Sequence, residues 1–433
     1  MLSTFLDAAT ARSYFANCLP LFQQRGNAHL DLTVRDVLVR DDWLVVYRLH
    51  LSPVAGGVTK PCVLVVHHFS DSKFDKEAVR IEKMTHSVGA WDPVVPQLVG
   101  RSARDKLLIY PFPLDTKITH LPDAANPGTV RKYFSMEENS PLNKLGSLPE
   151  CLVEPVRHIP MKRSQLRYTF RHNEGAGLSV YAKTFRRERG RKLYQSMLQV
   201  AGLFAGQGNP LLTAPRPLAY LPTWQMVVQE EAAGRTLYEL LQGGEAGDAQ
   251  MAAAAKVVAV LHNHSLDLEN RHGPEDEMKA ISTSCERLAR LGYDDDDFEL
   301  TGSRIRDLVG ELPRAATVPV HRDFYDRQLL IDGDRIALID LDELTYGHRE
   351  IDIANFEVHL QLRSLQGLAS LEQATRWQHV FSSEYERQAL EPLNQVLLFF
   401  YRATTYFRLA CKYLLQSGAP ALQPVCCFTP NRG

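Results

Sequence analysis

Cysteine pairs at metal-binding or redox spacing are missing from this sequence. Its seven cysteines include no C-x-x-C pair and no cysteine–histidine cluster at zinc spacing. They are Cys18, Cys62, Cys151, Cys285, Cys411, Cys426 and Cys427. An odd number of scattered cysteines supports neither a disulfide framework nor a zinc site. We therefore expect reduced thiols and a cytoplasmic protein.

Long apolar runs are missing as well. No stretch reaches the roughly 18 apolar residues that predict a transmembrane helix. The N-terminal segment has no basic residues followed by a long apolar core, so a signal peptide is not predicted. A large excess of charge is also absent, because the formal net charge is -2. We accordingly predict neither nucleic acid nor a membrane as a partner.

What the sequence does contain is an ordinary globular composition, with 45% hydrophobic residues in 433. This length is typical of two or three domains. Strands are predicted in two β-rich segments, first in "WLVVYRLHL" and "CVLVVHHF", then in "SQLRYTFRH" and "LSVYAKTF". Between them, residues 120–150 are rich in Pro, Asn, Gly and Ser and are interpreted as a linker or long loop. The second half is predicted to be mainly helical, with helices near 276–292, 370–390 and 393–415.

The two β-rich segments can be aligned with each other. Tyr47 then falls on Tyr168 and Phe69 on Phe185, at a nearly constant offset. In this alignment His67 stands where the second segment has Lys183. We interpret the first segment as a degenerate copy of the second, although two β-rich segments can match this well by chance.

The most informative stretch is "HRDFYDRQLLIDGDRIALIDLDE", residues 321–343. Asp-Gly between two short apolar runs predicts a β-hairpin that turns at Asp332-Gly333. Gln328 and Asp340 then reach the same end of the hairpin, and Asp323 lies in the loop that leads there. Oxygen ligands of this kind suit Mg²⁺, whose shell substrate phosphates would complete. A further carboxylate beside the metal could orient a hydroxyl and accept its proton.

Three motifs in this region resemble a known family. "HRDFYDRQ" resembles the catalytic loop of the kinase superfamily, and "IDLDE" resembles its metal-binding segment. "YGHREIDIANF" is similar to a segment of the aminoglycoside phosphotransferase and choline kinase family. The resemblance covers about residues 155–415 and is most specific over 321–356. It implies an α+β bilobal kinase-like fold, with an antiparallel-sheet N-lobe and a mainly helical C-lobe.

The resemblance also implies a role for each matching residue in the ATP-dependent transfer of a phosphoryl group to a small-molecule hydroxyl. Asp323 matches the catalytic base. Gln328 stands where the family has a metal-binding Asn, and Asp340 matches the metal-binding Asp. Lys183 matches the strand lysine that contacts ATP phosphates.

Two further segments match nucleotide-binding parts of the family. "NEGAG" stands where the hairpin loop should cover the phosphates, which assigns Gly175 and Gly177 to nucleotide binding. "VVQEEAAG" matches the hinge that reads adenine, which assigns Gln229, Glu230 and Glu231.

Two departures from the family motivate an alternative. Gln replaces Asn at position 328, and the helix after Lys183 offers no obvious Glu to pair with that lysine. Gln195 and Gln199 are the candidates at suitable depth. The alternative is a nucleotide-binding pseudokinase that acts as an interaction module. A protein kinase is disfavoured, because no Ala-Pro-Glu segment follows "DLDE".

The other polar residues near these motifs are interpreted as structural. His321 is assigned to packing and hydrogen bonding, and Asp352 to capping or bracing a loop. Asp342 alternates with Asp340 and should face away from it, while His262 should be a buried helix-end histidine. One helical face carries a cluster that could line the acceptor site, although a packed or solvated role is favoured. Its members are Arg402, Tyr406 and Arg408.

The sequence thus predicts an ATP- and Mg²⁺-dependent small-molecule kinase in three parts. Residues 1–150 would be a non-catalytic domain resembling a degenerate N-lobe, 151–232 the ATP-binding N-lobe, and 233–433 the helical C-lobe. The acceptor could be an aminoglycoside, a sugar or an amino alcohol. The first domain is expected to pack on the kinase as a cap over the acceptor cleft or as a homodimer contact.

Overall fold

The computed structural model describes residues 2–25, 30–39, 42–51, 60–136, 150–172, 175–290 and 296–417. The chain divides into two compact units. The first extends to Arg191 and includes Leu218–Val228, and the second holds Lys192–Pro217 and Gln229–Lys412. Within the described ranges, every helix is too short or too polar to span a lipid bilayer.

The first β-rich segment forms an antiparallel five-stranded sheet with strand order β1-β2-β3-β5-β4. Its elements are α1 (Leu2–Leu6), α2 (Ala8–Cys18), α3 (Pro20–Arg25), β1 (Leu30–Val39), β2 (Trp43–Leu51), β3 (Lys60–His68), α4 (Asp71–Gly89), β4 (Gly100–Ser102) and β5 (Leu107–Pro111). Phe15 of α2 packs edge-on against Tyr47 on one face. On the other face, Phe74 of α4 joins a core with Val46 and Val65.

The second β-rich segment forms another five-stranded sheet, in the order β6-β7-β8-β11-β10. Its elements are α5 (Leu121–Ala125), α6 (Pro127–Met136), β6 (Glu150–Ile159), β7 (Arg163–His172), β8 (Gly175–Phe185), α7 (Gly190–Gly206), β10 (Pro217–Leu221) and β11 (Met226–Glu230); β9 (Leu212–Thr213) pairs outside this sheet. The predicted linker at 120–150 is therefore wrong over residues 121–136, and residues 137–149 lie outside the described ones. Leu121, Val130 and Phe134 are buried against this sheet, and such packing overrides the local Pro, Gly and Asn signals.

The two sheets confirm the predicted internal repeat. The strand order is the same, and a helix follows the third strand of each sheet. Tyr47 lies opposite Leu64, and its counterpart Tyr168 lies opposite Val180. Both tyrosines donate to a backbone carbonyl of a helix that precedes the sheet in the chain, Tyr47 to Phe5 of α1 and Tyr168 to Ala124 of α5. We therefore call residues 2–111 the first copy and residues 112–230 the second copy.

The chain from residue 231 onward is mainly helical, as predicted. Its helices are α8 (Leu237–Gln242), α9 (Asp248–His262), α10 (Pro274–Arg290), α11 (Asp296–Leu308), α12 (Glu350–Leu365), α13 (Leu371–Gln388) and α14 (Gln395–Ser417). Its short strands are β12 (Arg235–Thr236), β13 (Val318–Val320), β14 (Leu329–Asp332), β15 (Arg335–Leu338) and β16 (Thr345–Gly347). They form the sheets β12-β14-β15-β9 and β13-β16. The α+β class predicted from the sequence is confirmed.

Candidate active site

The β14–β15 hairpin forms where the sequence predicts it, with its turn shifted by one residue. Asp332 pairs with Arg335, so the turn residues are Gly333 and Asp334 rather than Asp332 and Gly333. Gly333 has a φ of +58°, a backbone conformation that favours glycine at the first position of a two-residue turn. At the open end, the Ile339 amide donates to the Gln328 carbonyl at 2.9 Å.

Three polar side chains converge at this open end. The Gln328 Nε2 atom lies 3.1 Å from Asp323 Oδ2 and 3.5 Å from Asp340 Oδ2. This is the convergence expected from the hairpin. Among the described residues, no group of three or more His, Cys, Asp or Glu side chains could hold a metal by itself. Two carboxylates and an amide are a donor set that fits Mg²⁺ when substrate phosphates supply the remaining ligands.

Asp340 reaches the site from an unusual backbone conformation. Its φ of 62° and ψ of 53° lie in the left-handed region, and a short 3-10 turn, Leu341–Glu343, follows it. Non-glycine residues in this region cluster at functional sites, where the surrounding structure holds them in place. The alternation argument for Asp342 does not apply, because these residues form a turn instead of a strand.

The loop that carries Asp323 is braced by Asp352, as expected. The buried Asp352 carboxylate accepts from the backbone amides of His321 at 2.7 Å and Arg322 at 2.6 Å. His262, at the end of α9, lies 3.0 Å from the same carboxylate through Nε2 and 2.8 Å from the Tyr385 hydroxyl through Nδ1. Asp352 therefore holds the backbone of the loop in place, and His262 holds the Asp352 carboxylate.

His321 ties this loop to the end of β15. Its ring is buried, and Nε2 lies 2.8 Å from the Ile339 carbonyl oxygen. A carbonyl can only accept, so Nε2 carries the proton and donates. This contact supports the structural role predicted for His321. On the other side of the loop, Arg322 forms an ion pair with Glu343 at 3.0 Å.

The surroundings of Asp323 disfavour its charged form. Burial is the main effect that raises its pKa, and the nearby charge of Asp340 adds to it. His321, Arg408 and Lys412 act in the opposite direction but do not outweigh the burial. A carboxyl group whose pKa is raised toward neutrality is better suited to accepting a proton than an exposed one.

The polar cluster on α14 is paired, in line with the favoured reading. Arg402 donates to Glu357 at 2.7 Å, and Tyr406 donates to Gln361. Arg408 Nε lies 3.4 Å from the buried Glu277.

Glu277 keeps its charge despite this burial. Burial alone would raise the pKa of Glu277, but Arg408 and His272 lower it to about 2.

Two features of this site escaped the sequence analysis. Asp326 and Arg363 are both buried and form a bidentate ion pair, with Nε–Oδ2 and Nη2–Oδ1 distances of 2.6 and 2.9 Å. The second Asp in "HRDFYDRQ" was the available signal for this pair. Gly234 has a φ of +109°, and a Cβ there would lie 2.3 Å from the Ile331 carbonyl oxygen. This glycine lets β12 lie directly beside β14.

The residues assigned to the phosphates lie in the first unit. Lys183 is 6% exposed on β8, opposite Gln165 of β7. Gly175 and Gly177 belong to the first residues of β8, and a Cβ on Gly177 would lie 2.9 Å from the Phe170 carbonyl oxygen. Residues 173 and 174, the tip of the predicted phosphate loop, lie outside the described residues.

The predicted hinge lies at the end of β11, in the second unit. The Glu230 amide donates to the Arg216 carbonyl at 3.0 Å, and the Glu230 carboxylate accepts from the Arg216 guanidinium at 2.7 Å. Gln229 precedes Glu230 in the strand, and Glu231 follows the strand.

The side chain of Gln199, one candidate partner for Lys183, is hydrogen-bonded to the backbone of Asp267. It accepts from the Asp267 amide at 2.6 Å and donates to the Asp267 carbonyl at 3.1 Å.

Comparison with known proteins shows the family to which the chain belongs. Residues 156–391 match the phosphotransferase enzyme family, APH. This range is more than half of the chain and includes Lys183, Asp323, Gln328 and Asp340. The chain belongs to the phosphotransferase enzyme family. The predicted enzyme class, a small-molecule kinase, and the kinase-like fold are thus confirmed, and the predicted extra N-terminal sheet is the one formed by β1 to β5.

Several solved structures are similar to the chain at low identity. A choline/ethanolamine kinase family protein from Mesorhizobium loti is 13% identical over 67% of this chain and 85% of its own, with a TM-score of 0.46. An aminoglycoside-3'-phosphotransferase of type VIII is 20% identical over 61% and 97%, with a TM-score of 0.42. The amicoumacin kinase hAmiN, in complex with AMP-PNP, Ca²⁺ and Ami, is 12% identical over 67% and 90%, with a TM-score of 0.45. No curated protein matches the chain.

Proposed function

We propose that this protein transfers the γ-phosphoryl group of ATP to a hydroxyl of a small molecule, in a reaction that depends on Mg²⁺. The acceptor class is an aminoglycoside, a sugar or an amino alcohol. The observation that carries the proposal is the convergence of Asp323, Gln328 and Asp340 within 3.5 Å at the open end of one hairpin.

Asp340 and Gln328 are the residues that would hold Mg²⁺. Bound there, the ion would neutralise the charge of the transferring phosphoryl group. The Gln328 amide can serve two neighbours, since its nitrogen can donate to Asp323 while its oxygen is turned toward the metal. Rotation about the Cγ–Cδ bond exchanges the positions of the amide oxygen and nitrogen.

Asp323 acts on the acceptor. Its carboxylate orients the hydroxyl and accepts its proton as the phosphoryl group is transferred. Burial raises the pKa of this group, which increases its basicity. Asp352 holds the loop in place through the His321 and Arg322 amides, and such positioning supplies much of the rate enhancement in reactions of this kind.

The nucleotide is assigned to Lys183, Gly175, Gly177 and the hinge. Lys183 would provide a positive charge for the phosphates. The Glu230 amide is already bonded to Arg216, and neighbouring amides of a strand point to opposite sides. The adenine is therefore left to the backbone groups of Gln229 and Glu231.

A pseudokinase is the second candidate, and one observation favours it. The nitrogen of Gln328, rather than its oxygen, faces both carboxylates. In that orientation the amide donates to the carboxylates, and Gln328 presents its nitrogen instead of its oxygen to the site. A protein of this kind would bind nucleotide without turnover.

Two further predictions accompany the proposed function. We expect a cytoplasmic location with reduced thiols; the described cysteines Cys18, Cys62, Cys151, Cys285 and Cys411 form no disulfide with one another. The role of the first copy as a cap or homodimer contact also remains a prediction.

The proposal is tested by screening the full chain with ATP, Mg²⁺ and a library of aminoglycosides, sugars and amino alcohols, with ADP release as the readout. Once an acceptor is found, Asp323→Asn should lower kcat by about 10²-fold or more and leave nucleotide affinity unchanged. Asp340→Ala should abolish the Mg²⁺-dependent stabilisation of the protein by ATP. Gln328→Ala should weaken it less, because a neutral amide attracts the ion less than a carboxylate does.

Asp342→Asn is the matched control, because it removes a carboxylate from the turn that directly follows Asp340. It should leave turnover and metal dependence close to wild type. Wild-type turnover in Asp323→Asn would reject the assigned base. Binding of Mg²⁺ and ATP with no turnover on any acceptor would favour the pseudokinase.

A further inference from the structure

The segment in front of α5 touches the strand that carries Lys183. Successive side chains of a strand point to opposite faces of the sheet, so Lys183 points away from the face shared by Ala182 and Thr184. Ala182 belongs to the core that includes Leu121 of α5. Thr184 is fully buried on the same face. The helices α5 and α6 therefore pack on the face of the sheet opposite to the one on which Lys183 lies.

A chain of two short hydrogen bonds passes through Thr184. Its hydroxyl lies 2.6 Å from His120 Nε2 and 2.6 Å from the Trp224 carbonyl oxygen. The carbonyl can only accept, so the single hydroxyl proton goes to Trp224. His120 must then donate from Nε2. The hydroxyl is thus held from both sides in one orientation.

The helical cover also holds the second partner of Thr184. Tyr133 of α6 stacks on the Trp224 ring, with the centroids 4.4 Å apart. The next residue of β8 is fixed as well, since the Phe185 amide donates to the Gln225 carbonyl at 3.2 Å. Burial lowers the pKa of His120, although Asp115 and Asp123 act in the opposite direction. The ring therefore donates as a neutral imidazole at physiological pH.

The position that corresponds to Thr184 in the first copy carries no hydroxyl. The repeat alignment places His68 where the second copy has Thr184. The His68 ring stacks on Trp43, with the centroids 5.2 Å apart. At this position, a hydroxyl held between a histidine and a carbonyl is therefore found in the copy that carries Lys183, and an imidazole ring in the other.

We propose that His120 is a positioning residue for nucleotide binding. Acting through Thr184, it fixes the end of β8 and thereby the place from which the Lys183 ammonium group reaches the phosphates. This inference rests on the proposed function, because it presupposes that Lys183 contacts the nucleotide. It assigns a part of nucleotide recognition to a residue outside the sheet itself.

The test compares His120→Ala and Thr184→Val with wild type in the full chain, using the Kd of Mg²⁺-ATP and the separate KM values for ATP and acceptor. Each variant should raise the Kd and KM for ATP by about three- to tenfold, the range expected for one lost hydrogen bond. The KM for the acceptor and the kcat at saturating ATP should change by less than about twofold. His120→Asn, which keeps an N–H donor, should recover part of the loss.

Tyr168→Phe is the matched control. It removes the 2.8 Å hydrogen bond from the Tyr168 hydroxyl to the Ala124 carbonyl, which joins the same α5 to the same sheet away from Lys183. It should lower Tm about as much as His120→Ala and leave the KM for ATP unchanged. If His120→Ala and Thr184→Val behave like Tyr168→Phe in ATP binding, the inference is overturned.

Lys183→Met separates this inference from the proposed function. Unchanged ATP binding in Lys183→Met would reject the assigned role of Lys183, and the positioning role with it. Weakened binding in Lys183→Met, together with wild-type ATP binding in His120→Ala, would reject the positioning role alone.

Discussion

The two copies share a strand order and a hairpin register, and they differ at the position that would meet a nucleotide. The second copy has Lys183 there. The first has His67, which is 2% exposed and lies with Nδ1 3.0 Å from the Tyr110 hydroxyl. Burial lowers the pKa of His67 to about 3, so the ring is neutral at physiological pH. The first copy thus keeps the scaffold without the charge that phosphates require.

The two copies also differ at the end of their last strand, which is β5 in the first copy and β11 in the second. The first copy ends with Pro111 at the end of β5, and the chain continues through Phe112 to Pro113. Proline has no backbone N–H, so Pro111 and Pro113 leave this segment with fewer backbone donors than the hinge segment of the second copy. Met161, from the β6–β7 turn, packs against the core of the first copy. A fold can therefore be kept when the few residues that carry a function are absent.

The helix after the third strand shows a subtler difference. Glu77 of α4 is buried at 3% exposure and accepts from Lys117 at 2.6 Å and from Arg80 at 2.8 Å. The first copy therefore contains a buried carboxylate on this helix, paired with a lysine that follows β5 instead of one on β3. The pair links α4 to the segment after β5 and supplies no cation from the strand.

Deletion should separate the copies most strongly. Removal of residues 1–150 also removes α5 and α6, which exposes the sheet face that Leu121, Val130 and Phe134 cover. Each such side chain contributes roughly 1.5–3 kcal/mol when buried, so we expect this truncation to aggregate. Removal of residues 1–111 leaves the cover in place and should give more soluble protein with a measurable melting transition. A folded, fully active 151–433 fragment would contradict the expectation.

Exchange of the distinguishing residues should have the next largest effect. Lys183→His should weaken Mg²⁺-ATP binding by about tenfold or more, because a neutral ring replaces a fixed positive charge. His67→Lys should create no second nucleotide site and should destabilise the protein, since it buries a charge. Calorimetric titration gives both affinity and stoichiometry. Two ATP molecules bound per chain in His67→Lys would show that charge alone separates the copies.

Acid should affect the first copy through His67. The folded pKa of about 3 lies below the ordinary histidine value, so the unfolded chain binds more protons between these two pKa values. Stability is therefore lost as pH falls from about 6.5 toward 3, and the loss from this group reaches about 2 kcal/mol at pH 5. His67→Gln should show a shallower fall in the free energy of unfolding between pH 7 and pH 5. Parallel curves for the two proteins would show that His67 is not buried in its neutral form.

The smallest effect is expected where the copies agree. Tyr47→Phe and Tyr168→Phe each remove one hydroxyl that donates to a helix carbonyl. Each should lower the free energy of unfolding by about 1 kcal/mol, as measured by chemical denaturation. A large difference between the two variants would indicate that the repeated contact supports only one copy.

The predictable part of this molecule is local in sequence. The Asp-Gly signal predicted the hairpin to within one residue, because a turn and two short apolar runs lie within a few positions of each other. Gln328 and Asp340 converge for the same reason. The aligned tyrosines predicted a repeat that the strand order confirms.

The unpredicted part depends on residues far apart in the chain. Asp326 meets Arg363 and His120 meets Thr184 only after the fold has formed. The sequence predicts a linker over residues 121–136 because of their Pro, Asn and Gly residues. Their helices are stabilised by burial against a sheet that begins at residue 150.

Gly234 has a consequence for genetic studies of this protein. Any side chain there would place its Cβ 2.3 Å from the Ile331 carbonyl oxygen, so β12 would have to move away from β14. In a saturation screen scored by activity, position 234 should therefore reject every replacement as strictly as Asp323 does. The two positions would be indistinguishable by fitness, yet one carries the chemistry and the other only permits two strands to approach. A measurement of protein abundance alongside activity would distinguish them, since only the glycine variants should also be depleted from the soluble pool.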